Sequence, residues 1–189
     1  MIRLLLVLVC VVFFVLCLTG MWFGWRGRAR RQSAILTDFP TPPAWASEED
    51  SADRPKDLLE PETGVYVGST IAGDWQNRIT IGDIGFRAAA TMNLSRQGLL
   101  IERTGASPLW IPADSLVSAR TDRALAGKVM GIEGLLVVRW QLGDQQIDSG
   151  LRGDDKTSYG AWVDAVSALI ARTEHSVPAA GTREGERTC

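Results

Sequence analysis

The stretch EGLLVVRWQLGDQQIDSGLRGDDKTSYGAWVDAVSALIAR (133–172) changes its hydrophobic period once, and this change decides the fold class. Its first half contains two β-rich runs separated by Gly143 and Asp144, a pattern typical of antiparallel strands joined by a tight turn. In its second half the large apolar residues fall at i, i+1, i+4, i+7 and i+8, which places them on one helical face. These residues are Trp162, Val163, Val166, Leu169 and Ile170. We therefore expect a β-hairpin followed by one amphipathic helix.

The helix is predicted over 157–172. Thr157 or Ser158 supplies a cap for its start, and Arg172 places a favourable positive charge in its last turn. A single amphipathic helix that follows a run of strands has to cover an apolar surface. We expect it to close the open end of a β-barrel, with Trp162 as the largest side chain of the plug.

Short strands are also predicted upstream of this stretch. GVYVGSTIAG (64–73) is typical of a first strand, and RAAATMNLS (87–95) with QGLLIERTG (97–105) predicts a hairpin. A further strand is expected around Trp110, with a break at Pro112. Several short strands with turns between them favour a small sandwich or barrel over a parallel sheet. The sequence thus predicts a domain over 63–172 that is mainly β with one C-terminal α-helix.

The N-terminal stretch MIRLLLVLVCVVFFVLCLTGMWFGWRGRARRQ (1–32) begins with a long apolar run. From Leu4 to Leu18 the only residues other than Leu, Val and Phe are Cys10 and Cys17, and the apolar character continues to Trp25. The run is close to the roughly 20 residues that a helix needs to cross a bilayer. The bulky aromatic residues near its end suit a membrane interface better than the small-residue site of a cleaved signal peptide. We predict an uncleaved transmembrane anchor in residues 1–31, embedded through residues 4–25.

The charges beside this run predict its direction. Residues 1–31 contain five arginines and no acidic residue, and four of the five lie between residues 26 and 31. Positively charged flanks stay in the cytoplasm. Cys189 is the one thiol beyond the apolar run, so the sequence offers no disulfide framework that would indicate an oxidising compartment. We predict a single-pass protein of the cell membrane whose C-terminal domain is cytoplasmic.

The segment between the anchor and the domain, residues 32–62, holds five of the eight prolines and an acidic run. Such a composition predicts a stiff, extended linker. Its motif FPTPPAW (39–45) is either part of this spacer or a ligand for a proline-recognising partner. The polar residues 173–189 predict a disordered tail.

Residue types that carry catalysis or hold metals are scarce. His175 is the single histidine, and it falls in the expected tail, far from any nucleophile. Three cysteines at positions 10, 17 and 189 match no metal-ligand spacing, and no phosphate-binding loop of the form G-x-x-x-x-G-K-[ST] is present. We predict no catalytic, cofactor-binding or metal-binding residue, no enzymatic activity and no nucleic-acid partner.

The order of short strands followed by one helix with a buried tryptophan resembles the pleckstrin-homology-like (PH-like) superfold. The stretch LWIPADSLVSAR (109–120), placed before the last strands, and the N-terminal anchor are similar to actinobacterial membrane-anchored PH-like proteins, often labelled only as exported or transporter-like. The resemblance implies a PH-like β-barrel or sandwich over residues 64–172. It implies no particular activity, because a fold does not determine a function.

The resemblance also allows a comparison with phosphoinositide-binding PH domains, which carry several Lys and Arg residues in and beside their first hairpin. Here that region, IAGDWQNRITIGDIGFR (71–87), has only Arg78 and Arg87 as basic residues, against Asp74 and Asp83. Specific phosphoinositide binding is therefore not expected. Trp75 in this region is either an interaction anchor or a residue folded back onto the barrel.

Two functions remain open. The first is a membrane-tethered PH-like interaction module that binds or scaffolds a protein partner at the inner face of the membrane. The second is an accessory subunit of a membrane transport or envelope complex that acts through its transmembrane helix. The anchor itself has no internal charge, and its one small-xxx-small pair is Gly20 and Gly24, which is a weak signal for helix pairing.

Overall fold

The computed structural model describes residues 2–35, 39–47, 52–74, 76–79, 81–125, 128–129 and 134–176. The N-terminal part is one unbroken helix, α1 (Ile2–Ile35). Its side chains over residues 6–22 are exposed. Within the described residues, no helix combines the length and the apolarity that a membrane crossing requires.

The second part is an antiparallel β-structure closed by a C-terminal helix, α2 (Tyr159–Ser176). Seven strands form one sheet in the order β4-β3-β2-β1-β9-β8-β5, and two further short strands pair with each other. The strands are β1 (Glu62–Ile71), β2 (Ala88–Ser95), β3 (Gly98–Arg103), β4 (Leu109–Pro112), β5 (Leu116–Asp122), β6 (Ala124–Leu125), β7 (Lys128–Val129), β8 (Leu135–Leu142) and β9 (Gln145–Gly153). The prediction of a mainly β domain with one C-terminal helix is confirmed.

The predicted turns lie where the sequence places them. Arg96 and Gln97 join β2 to β3, and Gly143 and Asp144 join β8 to β9. Gly143 has a φ of 55°, a left-handed conformation that glycine adopts without the steric cost of a side chain. Pro112 ends β4, as its missing N–H predicts.

Strand β5 was not predicted as a separate element. It lies at one edge of the seven-stranded sheet, and only its first residue, Leu116, is buried. The other residues of β5 are half-buried or exposed, so the strand lacks the alternation that marks a strand in a sequence. A 3-10 turn, Ala113–Ser115, separates it from β4.

Helix α2 packs against β5 and the 3-10 turn before it, at the edge of the sheet. Trp162 is 2% exposed and belongs to the main core, together with Val166 and Leu169. The inward-facing residues of the strands supply the rest of this core, among them Tyr66 and Trp140. The predicted apolar face of the helix is therefore the face that is buried.

The ends of α2 differ from the prediction. A 3-10 turn, Lys156–Ser158, precedes the helix, and the side chain of Asp155 accepts a hydrogen bond from the Thr157 N–H there. Asp155 thus caps the 3-10 turn, whereas α2 begins at Tyr159, directly after the predicted cap candidate Ser158, whose hydroxyl donates to Glu62 and to the Asp155 carbonyl oxygen. The helix also continues to Ser176, so Arg172 is not in its last turn, and His175 lies within the helix rather than in a tail. Residues 177–189 lie outside the described residues.

The proline-rich segment differs from a free spacer. Residues 39–47, which we call the strap, pack along the domain: Phe39 lies 6.4 Å from Trp140 between ring centroids, and Trp45 lies 5.5 Å from Trp110. Farther along, Arg54 pairs with Glu102 at 3.1 Å. Phe39 and Trp45, which flank the proline run, supply apolar area that the average composition of residues 32–62 does not indicate.

Candidate interaction groove

The described part of the domain contains a groove of about 250 Å³ at the end of the sheet where β1 leads to β2 and β3 leads to β4. The strap forms one wall through residues 39–42. The β1–β2 loop forms a second wall through residues 81–84, and Ser107 and Pro108 of the β3–β4 loop form a third together with Leu109, the first residue of β4. Arg103, the last residue of β3, also lines the groove.

Arg103 holds the two loops in place. It follows Leu99 and Ile101 in the alternation of β3, so its side chain points to the side of the sheet that faces the main core. Its guanidinium donates to the Asp83 carbonyl oxygen at 2.8 Å, to Asp83 Oδ1 at 2.7 Å and, through Nε, to the Ser107 carbonyl oxygen at 2.9 Å. The Ser107 N–H in turn donates to Asp83 Oδ2 at 2.6 Å. One arginine thereby links both loops that line the groove.

The electrostatics of the groove follow from this pairing. Burial acts to raise the pKa of Asp83, but hydrogen bonds from Ser107 and Arg103 outweigh it, so the pKa lies below its ordinary value. Asp83 is therefore ionised at neutral pH, opposite an arginine whose side chain is 2% exposed. The Arg103–Asp83 pair carries no net charge. It therefore adds neither positive nor negative charge to the groove, whose other lining residues are mostly apolar.

A buried hydrogen-bond network lies beneath the groove. Tyr66 is fully buried, and its hydroxyl donates to the Ile84 carbonyl oxygen at 2.8 Å. The same hydroxyl bonds with Ser69, which bonds with Ser149, and Trp140 Nε1 donates to Ser149 at 3.0 Å. The Arg103 guanidinium lies 5.1 Å from the centre of the Tyr66 ring. These hydrogen bonds connect Ile84, which lines the groove, to buried side chains of the main core.

This network predicts an alkaline limit to stability. Burial raises the pKa of Tyr66 to about 12 and also raises that of Tyr159, and these are the two tyrosines of the chain. Because unfolded tyrosine ionises near pH 10, the contribution of Tyr66 is complete below about pH 10 and is lost as the pH rises towards 12. In a titration followed by tyrosinate absorbance, we expect one of the two tyrosines, Tyr66, to ionise only as the pH approaches 12. Ionisation of both tyrosines near pH 10 with the fold intact would contradict the burial of the Tyr66 hydroxyl.

Phe86 stands out on the same β1–β2 loop. Its side chain is 64% exposed, and its N–H donates to the Asp83 carbonyl oxygen at 2.9 Å, so the groove-lining turn positions it. Phe86 does not line the groove itself, but its exposed ring lies on the loop that forms the second wall of the groove. Trp75, for which the sequence allowed either an interaction anchor or a residue folded back onto the domain, lies outside the described residues.

Arg78 and Arg87, the two basic residues of the β1–β2 loop, have different surroundings. The Arg78 guanidinium donates to the Val67 carbonyl oxygen and packs beside Gly68, where a Cβ atom would collide with it. Arg87 is exposed. Asp83, expected to counter them, pairs instead with Arg103. Arg103 was not predicted as a site residue, although its alternation with Leu99 and Ile101 indicates a charged side chain that faces the core.

A second ionic cluster lies away from the groove on β5, β8 and β9. Asp148 pairs with Arg120 at 2.8 Å and with Arg139 at 2.7 Å. Burial acts to raise its pKa, but hydrogen bonds from the two arginines lower it on balance. The carboxylate is thus matched by neighbours on adjacent strands, which is a structural role. Among the described residues no group of three His, Cys, Asp or Glu side chains could hold a metal ion.

Comparison with known proteins adds one finding to this geometry. A family model described as Bacterial PH domain-like matches residues 37–167, which include the strap, the groove and the first half of α2. No curated protein matches the chain.

Proposed function

Because the chain belongs to the bacterial PH domain-like family, we propose that it is a membrane-tethered interaction module that binds or scaffolds a protein partner at the inner face of the membrane. The observation that carries the proposal is the groove, whose apolar walls surround an ion pair already matched within the domain. Such a surface fits an apolar side chain of a protein, and the exposed Phe86 beside it adds contact area.

A protein partner fits the groove better than a lipid headgroup. Recognition of phosphate groups uses several cationic side chains that are available to the ligand. Arg103 is committed to Asp83 and Ser107, and the Arg78 guanidinium is directed to the Val67 carbonyl oxygen. In the described part of the β1–β2 loop, this leaves Arg87 as the exposed basic residue. One exposed arginine is a poor phosphate site.

The membrane part of the proposal is supported by the N-terminal sequence. The apolar run of residues 4–25 lies within α1, a continuous helix that extends ten residues farther to Ile35. Its exposed apolar side chains would be stable in a hydrocarbon environment and costly in water. The arginines that follow favour a cytoplasmic position for the domain.

Thiol labelling tests this topology. Cys10 and Cys17 lie on α1, whereas Cys189 ends the chain. We expect a membrane-impermeant maleimide to leave Cys189 unmodified in intact cells and to modify it after lysis. A Cys189→Ser variant, which keeps both helix cysteines, is the control for labelling within α1. Modification of Cys189 in intact cells would place the domain on the outer side and contradict the proposal.

Site-specific crosslinking tests the protein-binding function. A photoreactive phenylalanine analogue at Phe86 is expected to form a protein adduct of defined mass in native membranes. The same analogue at Ala161, an exposed residue of α2 outside the groove, is the matched control and should not form it. Adducts with lipid alone, or the same adduct from both positions, would contradict binding at the groove.

The alternative function, an accessory subunit acting through its N-terminal helix, is favoured by one observation. Five residues form a shallow apolar depression on α1: Leu6, Val7, Cys10, Val11 and Phe14. Replacing residues 1–25 with an unrelated single-span anchor separates the two functions. The interaction module retains the adduct from Phe86 after this exchange, whereas an accessory subunit that acts through its helix loses it.

A further inference from the structure

The outer face of the β3–β4 hairpin carries an apolar patch that the domain builds by itself. Leu100 and Trp110 are direct partners in the β3–β4 ladder. Their neighbours Leu99, Ile101, Leu109 and Ile111 belong to the main core, so Leu100 and Trp110 point to the opposite side of the sheet. Gly98 allows the Trp110 ring to lie across the strand, because a Cβ atom there would come within 2.9 Å of the ring. We call Leu100, Trp110 and the adjacent Gln97 the Trp110 patch.

Outward-facing residues of this kind are normally in contact with water, yet Trp110 is only 7% exposed and Leu100 only 1%. The strap accounts for this burial. The Trp45 ring meets the Trp110 ring edge-on, with 5.5 Å between their centroids and 90° between their planes. Trp45 Nε1 donates to Gln97 Oε1 at 3.2 Å, and Ala46 is 9% exposed against the patch.

The strap binds the patch as a short peptide ligand would. Pro42 and Pro43 precede the contact residues, and the Ala46 N–H donates to the Pro43 carbonyl oxygen at 2.9 Å to close a tight 3-10 turn. The contact residues lie in this 3-10 turn, so the docked part of the strap is a compact turn that places the Trp45 ring and Ala46 on the patch, and it differs from the extended polyproline helix of most proline-rich ligands. The motif PPAW, which the sequence left open as a spacer or a ligand, is docked on its own domain.

The contact is also separable from the fold. Leu100, Trp110 and Ala46 form a cluster of their own, distinct from the main core that holds Trp162 and Trp140. Removal of Trp45 from the patch therefore opens no part of that core. The same strap lines the groove through residues 39–42, so its release at Trp45 frees a segment that borders the groove.

We propose that the Trp110 patch is a binding site for a proline-flanked tryptophan segment, that the strap occupies it in cis, and that a partner protein binds by presenting a segment of the same kind. The only polar side chain of the patch, Gln97, is uncharged, so the patch selects neither an acidic nor a basic ligand. This inference rests on the proposed function in that the partner is a protein. It adds a second site, which the chain's own strap blocks until a competitor displaces it.

A peptide titration tests this site without any partner. The probe is a fluorescently labelled peptide with the strap sequence FPTPPAWAS (39–47), added to the purified full-length chain. A tethered segment has an effective concentration of about 1 mM, which the free peptide has to overcome in the wild-type chain. We expect the Trp45→Ala chain to bind the peptide and the wild-type chain to bind it at least about tenfold more weakly.

Two controls accompany the titration. A peptide with alanine in place of its tryptophan should bind neither chain. Ala46→Asp, which places a charge in the buried contact, should release the strap in the same way as Trp45→Ala and keeps the test valid if one of these variants is unstable.

Three results would overturn the proposal. The first is the absence of peptide binding to both released variants when thermal melts show that they are folded. The second is equal binding by the wild-type and released chains. The third is a concentration-dependent dimer of the wild-type chain that disappears in Trp45→Ala, which would assign the strap to a second copy. None of these results depends on the adduct from Phe86, so failure here and failure of the proposed function are distinguishable.

Discussion

Replacement of Trp162 with alanine is expected to destabilise the domain by about 3 to 5 kcal/mol and to leave it molten or insoluble. Trp162 is 2% exposed and is the largest side chain that α2 places in the main core. Its removal leaves a cavity where the helix packs at the edge of the sheet. Since small domains have a free energy of unfolding of about 5 to 15 kcal/mol, this loss is a large part of the total.

Thermal melts of a fragment that spans residues 37–176 measure this effect. We expect Trp162→Ala to abolish the cooperative transition or to lower its midpoint by more than about 10 °C. Ser167→Ala, an exposed position on the same helix, is the matched control and should melt close to the wild type. A cooperative Trp162→Ala transition near the wild-type midpoint would contradict the packing of α2 on the core.

Arg103→Leu is expected to cost about 3 kcal/mol, because it removes a buried guanidinium that satisfies Asp83 and Ser107 together. The expected cost lies at the low end for a broken buried ion pair, since the side chain of Asp83 is 32% exposed and can still be hydrated. The two loops that line the groove should then lose their fixed spacing. We expect the protein adduct from Phe86 to be lost even at temperatures where the domain is folded.

Urea unfolding of single and double variants separates the ion pair from the rest of this effect. Arg103→Leu with Asp83→Asn should be more stable than the sum of the single losses predicts, because the double variant leaves no unmatched carboxylate. Arg103→Lys keeps the charge but not the forked geometry, and it should fall between Leu and the wild type. Additive losses in the double variant would show that Arg103 and Asp83 do not act as a pair.

The elements that were predicted correctly are those whose residue types form a regular helical pattern or a continuous β-rich run. Helix α2 buries one regular face, and the strands of the β2–β3 and β8–β9 hairpins are buried along most of their length, so their residue types indicate the elements directly. Strand β5 was missed because it is an edge strand with one buried residue, and its polar positions carry no alternation. The predicted start of α2 differs from the observed start by one to two residues because a 3-10 turn with its own cap, Asp155, occupies Lys156–Ser158.

The groove could be predicted only in part. Arg103 continues the inward phase of β3, and this signal was available in the sequence. Its partners Asp83 and Ser107 lie 20 and 4 residues away along the chain, in loops without a period, so no local pattern joins them. Phe86 likewise gave no signal, because nothing in a loop sequence separates an exposed phenylalanine from a buried one.

The strap was misjudged for a different reason. Average composition predicted that residues 32–62 could not pack, and for the segment as a whole the prediction is reasonable. Phe39 and Trp45 nevertheless bury enough apolar surface, one at the groove and one on Trp110, to hold the segment against the domain. The apolar area of these two side chains, which flank the proline run, is enough to dock the strap although the segment is polar on average.

The central claim, that the groove is where a protein partner binds, is tested most directly by blocking it. Thr41 is an exposed strap residue that lines the groove, and Thr41→Trp fills the groove without altering the core or the Arg103 network. Ala161→Trp, on the exposed face of α2, adds the same side chain away from the groove. The quantity to measure is the yield of the protein adduct from Phe86 in native membranes. Binding at the groove predicts a loss of at least about tenfold in Thr41→Trp and an unchanged yield in Ala161→Trp, whereas an equal yield in both variants would contradict it.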